Sequence, residues 1–384
     1  MLIHGYLIGG QAFVDSSPTA FVTDHERAPI AVFLRHFMLC IAILPLSGCY
    51  LLQAAAGQME IVTKRKPIAT VIANPATPVP LRKRLEYVSD ARQFAVKELG
   101  LPDNESYRSY ADLERPFVVW NVFATDEFSV EPRRWCFPIA GCVVYRGYFN
   151  EQRAQDYARG LRSRGQDTAV GGVAAYSTLG HFEDPVLNTM LNWSDVQLAG
   201  TLFHELAHQV VYVPGESEFN EAFATTVEEA GLERWLTAHN RVQEMRSWYT
   251  QRERSEQFIG LLLVARERLR NLYAEDLPED EMRARKQQEF GRLKFEYLQQ
   301  KARWNGYSGY DRWFDRALNN AHLISAATYH GCLPKFRELL HSVEGDFQRF
   351  YDRVRELAKD SRTARQNFCG HSAIADEQEV KDAQ

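Results

Sequence analysis

The segment Thr201-Leu-Phe-His-Glu-Leu-Ala-His-Gln-Val-Val211 carries two histidines four residues apart, with a glutamate directly after the first. On a helix, residues at that separation share a face, so His204 and His208 project side by side. Two imidazoles so placed can share one tetrahedral zinc ion, and Glu205 reaches a water in the position the protein leaves open. Glu205 is then a candidate general base, taking a proton from that water and handing it on to a leaving group. The plainer reading is a pair of hydrogen-bonded core histidines around a chance glutamate.

Two histidines leave zinc short of a protein ligand, and the flanking elements show where another comes from. Ser194-Asp-Val-Gln197 reads as a capping box that starts the helix. Leu198, Ala199, Leu202, Phe203, Leu206, Val210 and Val211 recur at helical spacing, and Pro214-Gly215 ends the run. A second helix restarts at Ser217 and contains Asn220-Glu-Ala-Phe-Ala224. Glu221 lies among Phe219, Ala222 and Phe223, where an unpaired carboxylate would carry a desolvation cost, so it is the expected third ligand. Glu218, in the first turn, is the rival, although the helix N-terminus already accounts for an acidic residue there. Glu228 follows Glu221 two turns later and can hold the other ring nitrogen of a ligand histidine. A third histidine is excluded at the metzincin spacing, because 211 is Val and 214 is Pro.

The remaining chain divides by composition. Phe37-Met-Leu-Cys-Ile-Ala-Ile-Leu-Pro-Leu-Ser-Gly-Cys49 follows Arg35 and is too short to span a bilayer, but it has the charge order of a secretory signal. Its Leu-Ser-Gly-Cys ending resembles a bacterial lipobox, which implies lipidation at Cys49 as the first mature residue. Residues 1–48 are then a signal peptide whose acidic upstream part points to a start assigned too early. Tyr50, where inner-membrane retention would want Asp, favours an outer-membrane lipid anchor facing the periplasm. Residues 49–80, with Pro67, Pro75, Pro78 and Pro80, read as an extended tether. Residues 81–231 form the α+β lobe with the zinc motifs, 232–360 a helical lobe, and 361–384 a polar tail.

Within the first lobe, Phe117–Ala124 and Cys142–Tyr145 read as strands, 150–164 as a helix and Thr168–Ser177 as a strand. Helices are expected over 312–327 and 334–359, and charge runs such as Arg252-Glu-Arg254 are solvated helix faces. Of six cysteines, Cys40 leaves with the signal and Cys49 carries lipid. Cys136 and Cys142 then close a small disulfide loop that an oxidising compartment permits, while Cys332 and Cys369 pair or stay reduced. A net charge of -5, without a basic-aromatic array, gives no reason to expect nucleic acid.

His-Glu-Leu-Ala-His-Gln followed by Asn-Glu-Ala-Phe-Ala resembles the gluzincin metallopeptidases, and more closely a family of bacterial zinc aminopeptidases. Trp135–Phe149, Asp184-Pro-Val-Leu-Asn-Thr-Met190, and Asn319-Asn-Ala321 with Tyr329 add to the match, although the spacing from His208 to Glu221 is short for gluzincins. The resemblance implies an α+β zincin-like fold: a small mixed sheet, an active-site helix and a mostly helical C-terminal lobe. It also implies one zinc held by His204, His208 and Glu221, with Glu205 as base and peptides as substrates. Gly172, Val173, Ala174, Ala175 and Tyr176 would form the sheet edge that pairs with substrate main chain, or an ordinary paired strand. Tyr329 would stabilise the oxyanion, with Tyr310, Tyr307, His322 and His330 as alternatives.

Two classes of function stay open on the residues alone. One is a zinc peptide hydrolase, exo- or endo-acting; an aminopeptidase would neutralise the substrate ammonium with Glu183, Asp184, Glu216 or Glu218. The other is a lipid-anchored binding or scaffold protein with a structural zinc, which would have no use for a base at Glu205.

Overall fold

The structure is a computed structural model that describes residues 45–137, 141–175, 177–178, 182–324 and 332–370. The side chains at 45–49, 51, 137 and 141 are not among those described, so Cys49, the expected lipidation site, lies outside the described side chains. No described helix is long and apolar enough to cross a membrane.

The segment expected as a tether folds. Helix α1 (Pro45–Lys64) lies on the sheet, β1 (Lys66–Pro67) and the short α2 (Ile68–Ala73) follow, and α3 (Val79–Leu99) completes the N-terminal layer. The inner face of α1 is an i, i+4 series. Gln53 donates to the Gly147 carbonyl at 3.3 Å and accepts from the Phe149 N–H at 3.1 Å, while Ile61 is fully buried. Any Cβ at Gly57 would lie 2.1 Å from the Phe149 ring, so only glycine fits there. The prolines that suggested an extended chain start helices instead. Pro67 and Pro78 precede α2 and α3, and Pro80 sits in the first turn of α3, where a missing N–H costs nothing.

The sheet elements are β2 (Ser109–Ala111), β3 (Val119–Asp126), the hairpin β4 (Trp135–Phe137) and β5 (Gly141–Val143), β6 (Arg146–Tyr148), β7 (Gln166–Val173) and β8 (Val186–Leu187). They make an antiparallel β6-β3-β7 sheet, a mixed β1-β2-β8 sheet and the β4-β5 pair. Cys136 and Cys142 face each other across that pair and are disulfide-bonded. Helix α4 (Glu151–Arg162), capped by Asn150, buries Ala154, Ala158 and Leu161 against Trp120, Val122 and Ala124 of the sheet. This is a mixed α+β chain.

Helices α5 (Asp195–His208) and α6 (Ser217–Ala238) form the centre of the largest apolar core. A second core lies within the long hairpin of α7 (Val242–Tyr273) and α8 (Glu279–Arg303), around Phe258, Leu269, Leu293 and Tyr297. The expected lobe boundary at 231 is not where the core divides, because α6 runs through it. Helices α10 (Leu333–Ser342) and α11 (Phe347–Lys359) then return to the first core, Phe336 and Phe350 packing on Phe223. Gly345, at φ 77°, separates α10 from α11 where one helix was expected. The polar tail likewise begins as a helix, α12 (Arg362–Cys369), tied by a Cys332–Cys369 disulfide.

The helix expected over 312–327 is also replaced. A short α9 (Asp311–Phe314) gives way to a 3-10 turn at Asn320–Leu323 because the Asn319 side chain accepts from the Ala321 N–H and restarts the chain. Asn320 then locks the turn to the sheet. Its N–H donates to Asp167 at 2.9 Å, its amide donates to the Glu127 carbonyl at 2.9 Å, and it accepts from the Tyr273 hydroxyl at 2.8 Å.

Candidate active site

Helix α5 starts where its sequence says it should. Ser194 Oγ accepts from the Gln197 N–H at 3.2 Å, and Gln197 Oε1 accepts from the Ser194 N–H at 3.1 Å. Arg84 and Arg241 hold Asp195 in the first turn. The turn into α6 is set by Asn220, whose amide donates to the Val213 carbonyl and accepts from the Val213 N–H, both at 2.8 Å. Two glycines then let the helices approach. A Cβ at Gly200 would lie 2.9 Å from Leu232 and 3.0 Å from Glu228 Oε1, and one at Gly231 would lie 2.8 Å from Leu99.

That close approach delivers the α6 carboxylates to the α5 histidines. His204 Nε2 is 3.2 Å from Glu221 Oε2, His204 Nδ1 is 3.0 Å from Glu228 Oε2, and the two Nε2 atoms of His204 and His208 are 3.1 Å apart. His208 Nε2 is 3.8 Å from Glu221 Oε1. One ligand atom from each of His204, His208 and Glu221 falls within 4.8 Å of the others, and all three residues are buried. The carboxylate grouped with the histidines is therefore Glu221 and not Glu218. Glu221→Ala should weaken zinc affinity sharply and Glu218→Ala should leave it nearly unchanged; the reverse order in a metal titration would transfer the role to Glu218.

The donor set suits a cation. Glu228 takes the Nδ1–H of His204, which fixes the tautomer and turns the Nε2 lone pair toward His208 and Glu221. Lone pairs of two imidazoles and a carboxylate then converge, which is unfavourable unless positive charge lies among them. In the metal-free protein a proton fills that need. Burial works against it, but the hydrogen bonds to Glu221 and Glu228 win and push His204 up to about 10, whereas burial takes His208 down to about 4. Two imidazole nitrogens with one carboxylate oxygen match zinc chemistry.

Glu205 is 1% exposed, and neither of its oxygens has a hydrogen-bond partner. Burial pushes its carboxyl up to about 8. Asp184 is unsuited to neutralising a substrate ammonium, because it is 2% exposed and its carboxylate already accepts from Thr178 N–H, Thr178 Oγ1 and Ser177 Oγ at 2.8, 2.8 and 3.3 Å. Glu216 pairs with Arg362 and Arg365, and Glu183 with Arg65.

Strand β7 is bonded to β3 along one edge, and no other described strand pairs with it. Asn319 covers part of the other edge by donating to the Thr168 carbonyl at 3.0 Å. The segment expected to pair with substrate is only partly strand. Gly172 and Val173 lie in β7, but the strand ends at Val173, so Ala174 and Ala175 fall beyond it. The Ala174 carbonyl accepts from Thr189 Oγ1 at 2.5 Å, and Ala175, at 5% exposure, is buried in the main apolar core. Both are held by the protein's own contacts, which removes Ala175 from the expected substrate edge. Tyr176 is outside the described residues. Gly172 has a packing reason of its own, since a Cβ there would lie 2.3 Å from the Phe117 ring.

Tyr329 and His330 are also outside the described residues. Tyr310 stacks on Phe258 at 4.1 Å in the α7–α8 core, Tyr307 packs beside it, and His322 is held by Asn319. Tyr212 belongs to no motif and lies in the chain beyond the helix, four residues after His208. Its ring centroid lies 6.3 Å from that of His208. A groove of about 1070 Å³ lies along another face of α6, lined by Glu229, Glu233 and Thr237, and contains none of these groups.

The fold is mixed α+β, and its buried His-His-Glu group could hold a metal ion next to a carboxylate, Glu205, that has no hydrogen-bond partner. The chain belongs to the family described as "Putative aminopeptidase", whose model matches residues 49–369. No curated protein and no solved structure matches it.

Proposed function

We propose that the chain is a zinc-dependent peptide hydrolase with a zincin-like site, acting as an aminopeptidase on small peptides. The family supports peptide hydrolysis. The observation that favours a catalytic over a structural metal site is Glu205. A carboxylate buried to 1% exposure with both oxygens unbonded is costly, and a structural metal site would not need it.

His204, His208 and Glu221 would hold the ion, and zinc in such a site supplies Lewis acidity toward a carbonyl oxygen and toward water. The protein does the rest. Glu228 keeps the His204 Nδ1–H in place, so that the ring cannot rotate away from the cluster. Glu205 accepts the proton of the attacking water at its carboxylate and returns it to the nitrogen of the leaving amine. The buried walls of α5 and α6 keep bulk water from competing for that proton. The part of the β7 edge not covered by Asn319 would hold extended substrate main chain.

The test is a panel of amino-acid amides beside N-blocked peptides, assayed with zinc present and after chelation. Zinc-dependent cleavage of the free amides with the blocked peptides untouched is expected. Cleavage of blocked peptides alone would make the protein an endopeptidase, and no cleavage of either would sink the hydrolase reading.

We also propose attachment to the cell envelope, on the outer membrane facing the periplasm, through lipid on Cys49. Cys49→Ser should move the protein from the membrane to the soluble fraction or leave it unprocessed, because the acyl chains supply the membrane affinity. A mass spectrum with unmodified Cys49 inside a longer mature chain would overturn this.

A further inference from the structure

Helix α12 buries a single residue, and that residue is charged. Arg365 is 8% exposed, while the rest of the helix is half-buried or exposed. A guanidinium taken out of water needs partners, and Arg365 finds them on two sides. Its Nη1 donates to the Ala358 carbonyl at 3.3 Å and to the Asp360 carbonyl, both in the chain leading into α12. Its Nη2 donates to Glu216 Oε1 at 3.3 Å, 149 positions back in the sequence. Glu216 is the residue from which α6, the helix of Glu221, starts.

That start is lightly held from within. Helix α5 opens on a capping box, but no side-chain cap closes the first turn of α6. The Glu216 carbonyl accepts from the Asn220 N–H at 3.0 Å, and Glu221 is the next residue along. The Glu216 side chain turns outward to Arg365 and, at 3.4 Å, to Arg362. A second path runs through rings. Phe368 of α12 packs on Phe336 with centroids 5.2 Å apart, and Phe336 packs on Phe219 at 4.9 Å, two residues before Glu221. At eight residues α12 is too short to persist as an isolated helix. The Cys332–Cys369 disulfide ties its last residue to the start of α10 and so keeps both paths in place.

We propose that α12 is a redox-dependent clasp on the start of α6, with Arg365 the positioning residue that holds Glu221 in place against His204 and His208. Arg365 acts through Glu216 and touches none of the three. With the disulfide closed, the Arg365–Glu216 pair fixes the turn from which Glu221 projects. A dithiol passes two electrons and two protons to the Cys332–Cys369 bond, leaving two thiols and becoming a disulfide itself. Helix α12 is then released, Arg365 leaves with it, and the Glu221 carboxylate loses its fixed distance from the histidines. This inference rests on His204, His208 and Glu221 being the metal ligands.

The test loads the full chain with Co²⁺, whose visible absorption reports the geometry of its ligands. Arg365→Ala, Glu216→Ala and Cys369→Ser, the last standing for the reduced state, are titrated beside the wild type. Each should bind cobalt about tenfold more weakly, the low end for residues that orient a ligand, and each should shift the visible band. Arg365→Ala and Glu216→Ala break one contact, so together they should lose no more than the worse single variant. Both leave the disulfide intact and carry the test if Cys369→Ser does not fold. A clasp that is only structural would lower the thermal midpoint in chelator and leave cobalt affinity and band as in the wild type. That result would overturn the proposal, as would additive losses in the double variant. If the wild type takes up no cobalt, the metal reading fails and this inference with it; if it does and the variants match it, only the clasp fails.

Discussion

Glu205→Gln is expected to lower peptide turnover by about a hundredfold or more while zinc content stays the same, as removal of a general base would. The substitution keeps the shape of the side chain and touches none of His204, His208 or Glu221. Glutamine cannot accept and return a proton at neutral pH. Stability should not suffer, because neither Glu205 oxygen has a partner to lose and burial already disfavours its charge. Burial pushes the carboxyl up to about 8, so in the metal-free protein it is mostly protonated at neutral pH; a neighbouring divalent cation favours the ionised form that catalysis needs. Metal analysis and steady-state kinetics on one preparation decide the matter. Wild-type turnover in the variant would leave Glu205 without a catalytic role and favour a binding protein with a structural metal.

The second large effect is on the metal. His204→Ala and His208→Ala should each reduce zinc from about one ion per chain to near zero after dialysis, since two remaining ligands do not retain it. The two variants should differ in stability. His204 lies between two carboxylates, 3.2 Å from Glu221 and 3.0 Å from Glu228, whereas His208 is 3.8 Å from Glu221. Removing His204 takes the group between them from the buried Glu221 and the half-buried Glu228, at about 1–3 kcal/mol for a buried partner left unsatisfied. His204→Ala should therefore show the lower thermal midpoint even in chelator, where metal loss no longer contributes. Full zinc occupancy in both variants would remove the basis of the metal assignment, and equal midpoints in chelator would remove the role given to Glu228.

What could be read from the chain alone was local. The Ser194–Gln197 cap, the helical run behind it and the one-turn spacing of His204 and His208 are short-range features, and short-range geometry follows directly from residue order. Glu221 was legible for a related reason, because a carboxylate among phenylalanines needs a partner wherever the chain goes. Residues 49–80 were not legible in this way, since the proline positions are local signals whereas the Gln53, Gly57 and Ile61 series only has meaning once a sheet lies opposite it. Helices α10 and α11 read as part of the helical lobe, because apolar periodicity shows that a face is buried but not against which neighbour. The strand expected to reach Ser177 stops at Val173 for the same reason: Ala174 and Ala175 look like strand residues, and only the Thr189 hydroxyl and the main core take them out of it.

Tertiary packing settled everything that depends on distant pieces meeting. Gly200 and Gly231 look unremarkable in a helical sequence, yet they bring α6 near enough for Glu228 to reach His204. Tyr107, Ser177 and Asp184 are spread over nearly eighty positions and share no motif. They meet because the Asp184 carbonyl captures the Tyr107 N–H and the Asp184 carboxylate captures Ser177 and Thr178 in the turn after β7. Contacts of that kind depend on chain topology and on which buried polar groups find partners, and no local pattern of residues encodes either.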